Sequence, residues 1–138
     1  MLPFRVQIRP GISIYEQVVY AAKKAIVAGQ IHPGDPFPSV RALSRELKMN
    51  PNTAHKIISN LVTSGLLEIR PGIGAVVSTL PESTKTARTE LLENEIEQLV
   101  VEAKRLGIEA GQVLTSVSAH WKKLSNENSS DRGGRTKP

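Results

Sequence analysis

The residues best equipped for recognition chemistry lie in one short run, Asn50-Pro51-Asn52-Thr53, followed at once by His55 and Lys56. A carboxamide such as that of Asn52 carries a donor beside an acceptor, the pattern that matches the N6 and N7 edge of adenine. Thr53 can meet a phosphate or a thymine methyl, His55 lies about one turn further along, and Lys56 adds a cation without base preference. Ser39 and Arg41 combine helix-start amides with a guanidinium, both suited to phosphate, and Arg45 and Lys48 supply further cations. Arg70, with Gly72 and Gly74, would let a hairpin tip come close to phosphates or to a minor groove. Each has a plainer explanation: Asn50 is a good helix cap, Arg41 a solvated arginine, and the glycines ordinary turn formers.

Covalent and metal chemistry have no such support. His32, His55 and His120 show no metal-ligand spacing, there is no cysteine nucleophile, and no glycine motif is arranged to cradle a phosphate. The sequence therefore predicts no catalytic residue, no metal site and no cofactor.

Those side chains need helices to hold them. Ser13 followed by Glu16 fits a capping box, and Ile14, Val18, Ala22, Ala25 and Ile26 then recur at helical spacing until Gly29, predicting a helix over 13–28. His32-Pro33-Gly34-Asp35-Pro36 cannot extend it, because two prolines remove amide donors. Ser39 can cap a second helix with Val40, Leu43 and Leu47 on one stripe, ending near Lys48. Asn50 caps a third, with Pro51 where a missing amide costs nothing; Ala54, Ile57, Ile58 and Leu61 face inward, and Gly65 stops it. Leu66–Arg70 and Ala75–Thr79 then read as two strands joined through Pro71-Gly72-Ile73-Gly74. A hairpin is marginal alone, so it should lean on the helices and project its tip as a wing.

Beyond Pro81 the pattern changes. Leu92, Ile96, Leu99, Ala103 and Leu106 form a heptad seam closed by Gly107, and Val113 or Leu114, Val117, Trp121 and Leu124 repeat it. The expectation is an antiparallel pair of helices whose two stripes are covered by a second copy, since an isologous contact serves both subunits at once. The competing possibility is that the pair folds back on the winged unit. From residue 126 onward polar and basic residues replace every apolar one, which predicts a disordered tail. The expected organisation is thus 1–80 winged helix-turn-helix, 81–125 two-helix dimerisation region, and 126–138 tail.

Bulk properties agree with a mainly α, globular protein carrying a small β-hairpin. Of 138 residues, 39% are hydrophobic but only 4% aromatic, so the core must be aliphatic and modest. The net charge of +5 is unevenly spread: residues 1–80 hold nine Lys/Arg against four Asp/Glu, whereas 81–125 hold six against seven. No apolar run is long enough to cross a bilayer, no signal peptide opens the chain, and cysteine is absent, so the expected location is cytoplasmic, away from the membrane.

With these elements in place, Pro38-Ser39-Val40-Arg41-Ala42-Leu43, then Asn50-Pro51-Asn52-Thr53, then Gly65-Leu66-Leu67 and Gly72-Ile73-Gly74 resemble, in order, the DNA-binding domain of GntR-type regulators. Tyr15-Glu16-Gln17, the Asn-Pro-Asn-Thr helix start, and Ala103-Lys104-Arg105-Leu106-Gly107 in a short two-helix tail resemble the YtrA subfamily, so that the likeness covers residues 12–124. It implies a dimeric repressor, or occasionally an activator, on a palindromic operator in double-stranded DNA, often near transporter genes, with contacts from Arg41, Thr53, His55 and the Gly72 wing. Two departures stand out. Many relatives carry arginine where Pro51 stands and another near His55, which makes direct base reading thinner here or shifts it to Asn52. Ile57 and Ile58 replace a common alanine and tyrosine, altering the packing or the exposed face of the recognition helix. Larger relatives add a ligand-binding or pyridoxal-phosphate domain, but the roughly forty-five residues after the wing are too few to enclose an ordinary pocket. A small-molecule effector at the dimer interface is compatible with the sequence, although nothing calls for one.

The reading is a sequence-specific DNA-binding regulator acting as a homodimeric repressor. Its rival is a winged-helix protein-interaction adaptor without specific DNA binding, because fold alone does not dictate function.

Overall fold

The computed structural model describes residues 2–79 and 84–131, with side chains described as far as Ser125. Its elements run α1 (Ile14–Val27), α2 (Val40–Leu47), α3 (Pro51–Thr63), β1 (Leu67–Arg70), β2 (Gly74–Val77), α4 (Lys85–Thr89), a π-helical turn (Glu90–Glu95), α5 (Ile96–Arg105) and α6 (Ala110–Asp131). They divide into two compact units, with the boundary between Leu80 and Pro81 and the second unit running to Asn126.

In the first unit three helices and a hairpin close over one core. Val18, Ala22, Ala25 and Ile26 of α1 meet Leu43 of α2 and Ala54, Ile57 and Leu61 of α3, with Leu67 and Val77 from the strands. Ile58 is partly buried against the same cluster, so both isoleucines of α3 serve packing rather than an outer face. Two contributions were not legible beforehand. Phe4, from the segment ahead of α1, is buried and stacks on Phe37, with ring centroids 5.7 Å apart. The segment after α1, expected only as a turn, pairs with the outer side of β2: Phe37 N–H donates to Ala75 O, Gly34 N–H to Val77 O, and Val77 N–H to Asp35 O. Pro36 sits opposite Val76 in this added ladder. Proline is tolerated there because the segment is an edge and its missing amide breaks no ladder bond.

Helix ends obey local chemistry. Ser13 Oγ accepts from Glu16 N–H, the serine half of the expected box, while Gln17 reaches back to the chain before the helix: its Oε1 accepts from Arg9 N–H and its Nε2 donates to Ile12 O. At the end of α3, Gly65 takes φ +83°, its N–H donates to Val62 O, and Leu66 N–H donates to Leu61 O. This paired closure serves the last carbonyls and turns the chain into β1 with Leu66 buried. The same bonds end α1 at Gly29 and α5 at Gly107. Helix α2 ends differently: Lys48 adopts φ 52°, ψ 49°, the one left-handed non-glycine among the described residues.

The strands pair antiparallel with Leu67 opposite Val77 and Arg70 opposite Gly74. Ile73 N–H donates to Arg70 O with Pro71 second and Gly72 third at φ +78°, the geometry of a type II turn.

The second unit is helical in its described part, apart from Thr84 and the turn over 106–109. Thr84 caps α4 through Ala87 N–H. The expected heptad seam is interrupted, since Ile96 N–H donates to Leu91 O five residues back. A turn wider than four residues puts Leu91 and Leu92 on either side of the line through Ile96, so the stripe begins with two leucines rather than one. Of the predicted seam Ala103 is buried and Val113 and Leu124 are half-buried, whereas Leu92, Ile96, Leu99, Leu106, Val117 and Trp121 are exposed. Helix α6 runs on through 126–131, the start of the predicted tail. No proline or glycine interrupts Ser125–Asp131, and extending an existing helix costs far less than starting one. Residues 132–138 of that predicted tail lie outside the described residues. Among the described residues no helix is long and apolar enough to cross a membrane.

Replacing Lys48 by glycine removes a left-handed side chain at the loss of some unfolded-state restriction, so Lys48→Gly should raise stability by about 0.5 kcal/mol. Gly65→Ala, forcing a Cβ into the same region of φ, should lower it by about 1 kcal/mol. Urea unfolding midpoints at constant m-value measure both.

Candidate nucleic-acid interface

Helix α3 has two faces of opposite character. Ala54, Ile57 and Leu61 are wholly buried, while Asn52, His55 and Lys56 are exposed. Because residues three and four apart share a helix face, Asn52, His55, Lys56 and Ser59 form one polar stripe turned away from the core. Ser59 was not singled out from the sequence, although its spacing, three beyond Lys56, would have found it. The helix is pinned by its buried side and by Asn60 Nδ2, which donates to Tyr15 Oη at 2.9 Å, tying α3 to α1.

The two residues opening the helices are engaged locally. Asn50 Oδ1 accepts from Asn52 N–H at 2.7 Å and Ser39 Oγ accepts from Ala42 N–H at 3.1 Å. In each case the side-chain oxygen is committed to the cap, so neither residue is free to read a base through it. Thr53 is half-buried at the third position of α3, beside Ala54.

Cations surround the stripe. Arg41 and Arg45 stand one turn apart on α2 and are exposed; Lys48 occupies the left-handed turn between α2 and α3; Lys56 is on the stripe itself. Among the described residues none of the four is paired with a carboxylate. Solvated cations of this kind can exchange water and counterions for phosphate without first breaking an internal salt bridge. Arg70 differs, because Glu68 holds it: Nε and Nη2 both lie 2.9 Å from Glu68 Oε2.

At the wing, Gly72 and Gly74 have φ of +78° and +105°, and nothing lies within 4 Å of where a Cβ would stand on either. The backbone conformation of the turn, not crowding, calls for glycine there. The tip that results is open, with Ile73 exposed between the two glycines. The other predicted residues, Leu92, Ile96, Leu99, Ala103, Leu106, Val113, Val117, Trp121 and Leu124, all fall in the second unit. No group of three or more His, Cys, Asp or Glu residues among the described residues could hold a metal.

Residues 14–77, from α1 through β2, match the gntR family of bacterial regulatory proteins. Over 110 residues the chain is 34% identical to the HTH-type transcriptional repressor YtrA of Bacillus subtilis (strain 168), a stretch covering 75% of this chain and 82% of that protein. The chain belongs to the GntR family. It is YtrA-like in sequence, and its family is one of non-enzymatic regulators. Solved structures agree on the architecture. A transcriptional antiterminator from Listeria monocytogenes EGD-e superposes with a TM-score of 0.77 at 20% identity, covering 88% of this chain and 92% of that one, which shows a shared fold. A GntR family transcriptional regulator from Listeria monocytogenes superposes at 0.58 with 27% identity, covering 81% and 98%. The fold of this GntR protein is therefore a winged helix-turn-helix followed by a helical region.

The cap and the stripe can be separated by stability. Asn50→Ala should cost about 1 kcal/mol, because an amide at the start of α3 loses its acceptor. Asn52→Ala, on the exposed stripe, should change stability by less than about 0.5 kcal/mol. Denaturant unfolding of the two variants distinguishes them.

Proposed function

We propose that this GntR-family protein is a sequence-specific DNA-binding repressor that works as a homodimer on a palindromic operator in the cytoplasm. The observation that carries the reading is the polar stripe Asn52-His55-Lys56-Ser59 on a helix whose opposite face is wholly buried. An α-helix fits the B-DNA major groove, and a helix-turn-helix presents the N-terminal residues of its second helix to base edges. Asn52 is assigned to adenine, with Thr53 and His55 beside it. Arg41, Arg45 and Lys56, together with the amides of Val40 and Arg41 that follow Ser39 at the start of α2, meet phosphate, as does Lys48. Asn50 holds the helix start at the groove. Arg70, Gly72 and Gly74 carry the wing to the flanking duplex. The relative in Bacillus subtilis is named a repressor, which supports that sign of regulation here.

The homodimer rests on the second unit. Leu92, Ile96, Leu99, Leu106, Val117 and Trp121 expose apolar surface at helical spacing, with Trp121 at 74%. Stripes of this kind are rare on isolated soluble units and fit a symmetric mate, with Ala103 at a close approach and Val113 and Leu124 at the edges. Two α3 helices then lie about 34 Å apart, one duplex turn between half-sites.

Selection of duplexes from a random pool tests the assignment. The wild-type protein should select an inverted repeat and bind it with an affinity that falls steeply with salt, by about 0.9 in log K per log salt for each phosphate neutralised. Arg41→Ala should weaken all sequences alike, whereas Asn52→Ala should relax one base position per half-site by about 1–3 kcal/mol. Trp121→Ala should weaken the dimer by about 2 kcal/mol, roughly thirtyfold, in sedimentation equilibrium. No salt-sensitive binding to any genomic fragment would instead favour a winged-helix adaptor that binds protein.

A further inference from the structure

Among the described residues, Arg70 is the one predicted DNA-contacting cation paired with a carboxylate. Glu68 and Arg70 are two apart on β1, so both side chains leave the same face of the hairpin. Across the ladder Arg70 faces Gly74, which has no side chain to support a guanidinium, and Glu68 faces Val76. The support comes from Glu68, whose Oε2 accepts from Nε of Arg70 and lies 2.9 Å from its Nη2. That single oxygen occupies one edge of the planar fork. The other edge, formed by Nη1 and the remaining hydrogen of Nη2, is left for a ligand, and both side chains are about half exposed.

A guanidinium held in this way has lost most of its value as a phosphate anchor. The carboxylate cancels its net charge and would itself be repelled by the backbone, so little counterion release can come from the pair. Its directional donors remain. A neutral pair presenting two fixed N–H groups suits uncharged acceptors on a base edge, the ring nitrogens and keto oxygens, because the geometry of the fork is set before the ligand arrives. The pair stands at the foot of the wing turn, one residue from Pro71, where such an edge would come within reach.

We infer that Glu68 is a positioning residue that turns Arg70 from a phosphate contact into a reader of base edges at the wing. This rests on the DNA-binding reading above and goes beyond it by dividing the cations into two classes: Arg41, Arg45, Lys48 and Lys56 unpaired and sequence-blind, Arg70 paired and selective. Water competes with the pair in the free protein, whereas a duplex laid against the wing excludes water and strengthens it.

The experiment is site selection from a random pool, with the salt dependence of binding, for the wild-type protein, Glu68→Ala, Glu68→Gln, Arg70→Ala and the double variant Glu68→Ala/Arg70→Ala. Both residues are exposed on a hairpin, and thermal melts establish that each variant is folded. Glu68→Ala should bind random duplex more tightly, with a salt slope steeper by about 0.9, as a freed Arg70 takes a phosphate. It should also lose about tenfold of the preference at one base pair flanking each half-site. Glu68→Gln keeps an acceptor oxygen while dropping the charge, so it should retain most of that preference although its slope steepens. Arg70→Ala should lose the same preference, and adding Glu68→Ala to it should change the selected sequence no further. A Glu68→Ala protein that selects the wild-type sequence at every position overturns the inference, as does one whose effect on preference persists when Arg70 is absent. Failure of the wild-type protein to select any duplex would instead remove the DNA-binding reading itself, before the variants are compared.

Discussion

The burial of one side of α3 is the constraint on which the first unit depends. Ala54, Ile57 and Leu61 have no exposed surface, and they are met by α1, α2 and the start of the hairpin at once. A close-packed interior leaves a helix no freedom to rotate about its axis, because turning it by one residue would pull an aliphatic side chain out and push a polar one in. The orientation of Asn52, His55, Lys56 and Ser59 is therefore a by-product of core packing. Tyr15 and Asn60 add a lateral tie, but the hydrophobic face does most of the holding.

Around that helix, short-range polar chemistry is spent on chain direction rather than on recognition. Ser39 and Asn50 commit their side-chain oxygens to the first turns of α2 and α3, Gly65 closes α3 and releases the chain into β1, and Ser78 Oγ donates to Gly65 O, fastening the far end of the hairpin to the same corner. The hairpin does not stand as two strands alone, since the segment around Pro36 adds a second ladder to β2. With Phe4 and Phe37 stacked beneath it, the wing has a rigid base and an open tip.

The second unit presents the opposite balance. Its helices are well formed locally, with Thr84 capping the first and Gly107 closing α5, yet among the described residues its apolar seam is buried only at Ala103 and half-buried at Val113 and Leu124. Local propensity and capping are enough to make the helices, and a partner surface would satisfy what they leave exposed. The π-helical turn at Glu90–Glu95 widens the start of that seam to include Leu91.

Much of this was readable in the residues. Helix starts at Ser13, Ser39 and Asn50 and stops at Gly29, Gly65 and Gly107 depend on side chains within a few positions of the backbone groups they serve, and the two strands with their Pro-Gly turn follow from equally local preferences. The division of α3 into a buried and a polar face follows from its period. Tertiary structure decided what depends on contacts distant in sequence: Phe4 finding Phe37, the Pro36 segment joining β2, and Asn60 meeting Tyr15. It also decided which carbonyl a backbone amide chose near Ile96, where α and π bonding differ by one residue. The pairing of Arg70 with Glu68 belongs to the same class. Alternation along a strand puts both on one face, but only the folded hairpin, with Gly74 opposite, leaves the guanidinium no side chain across the ladder to rest against.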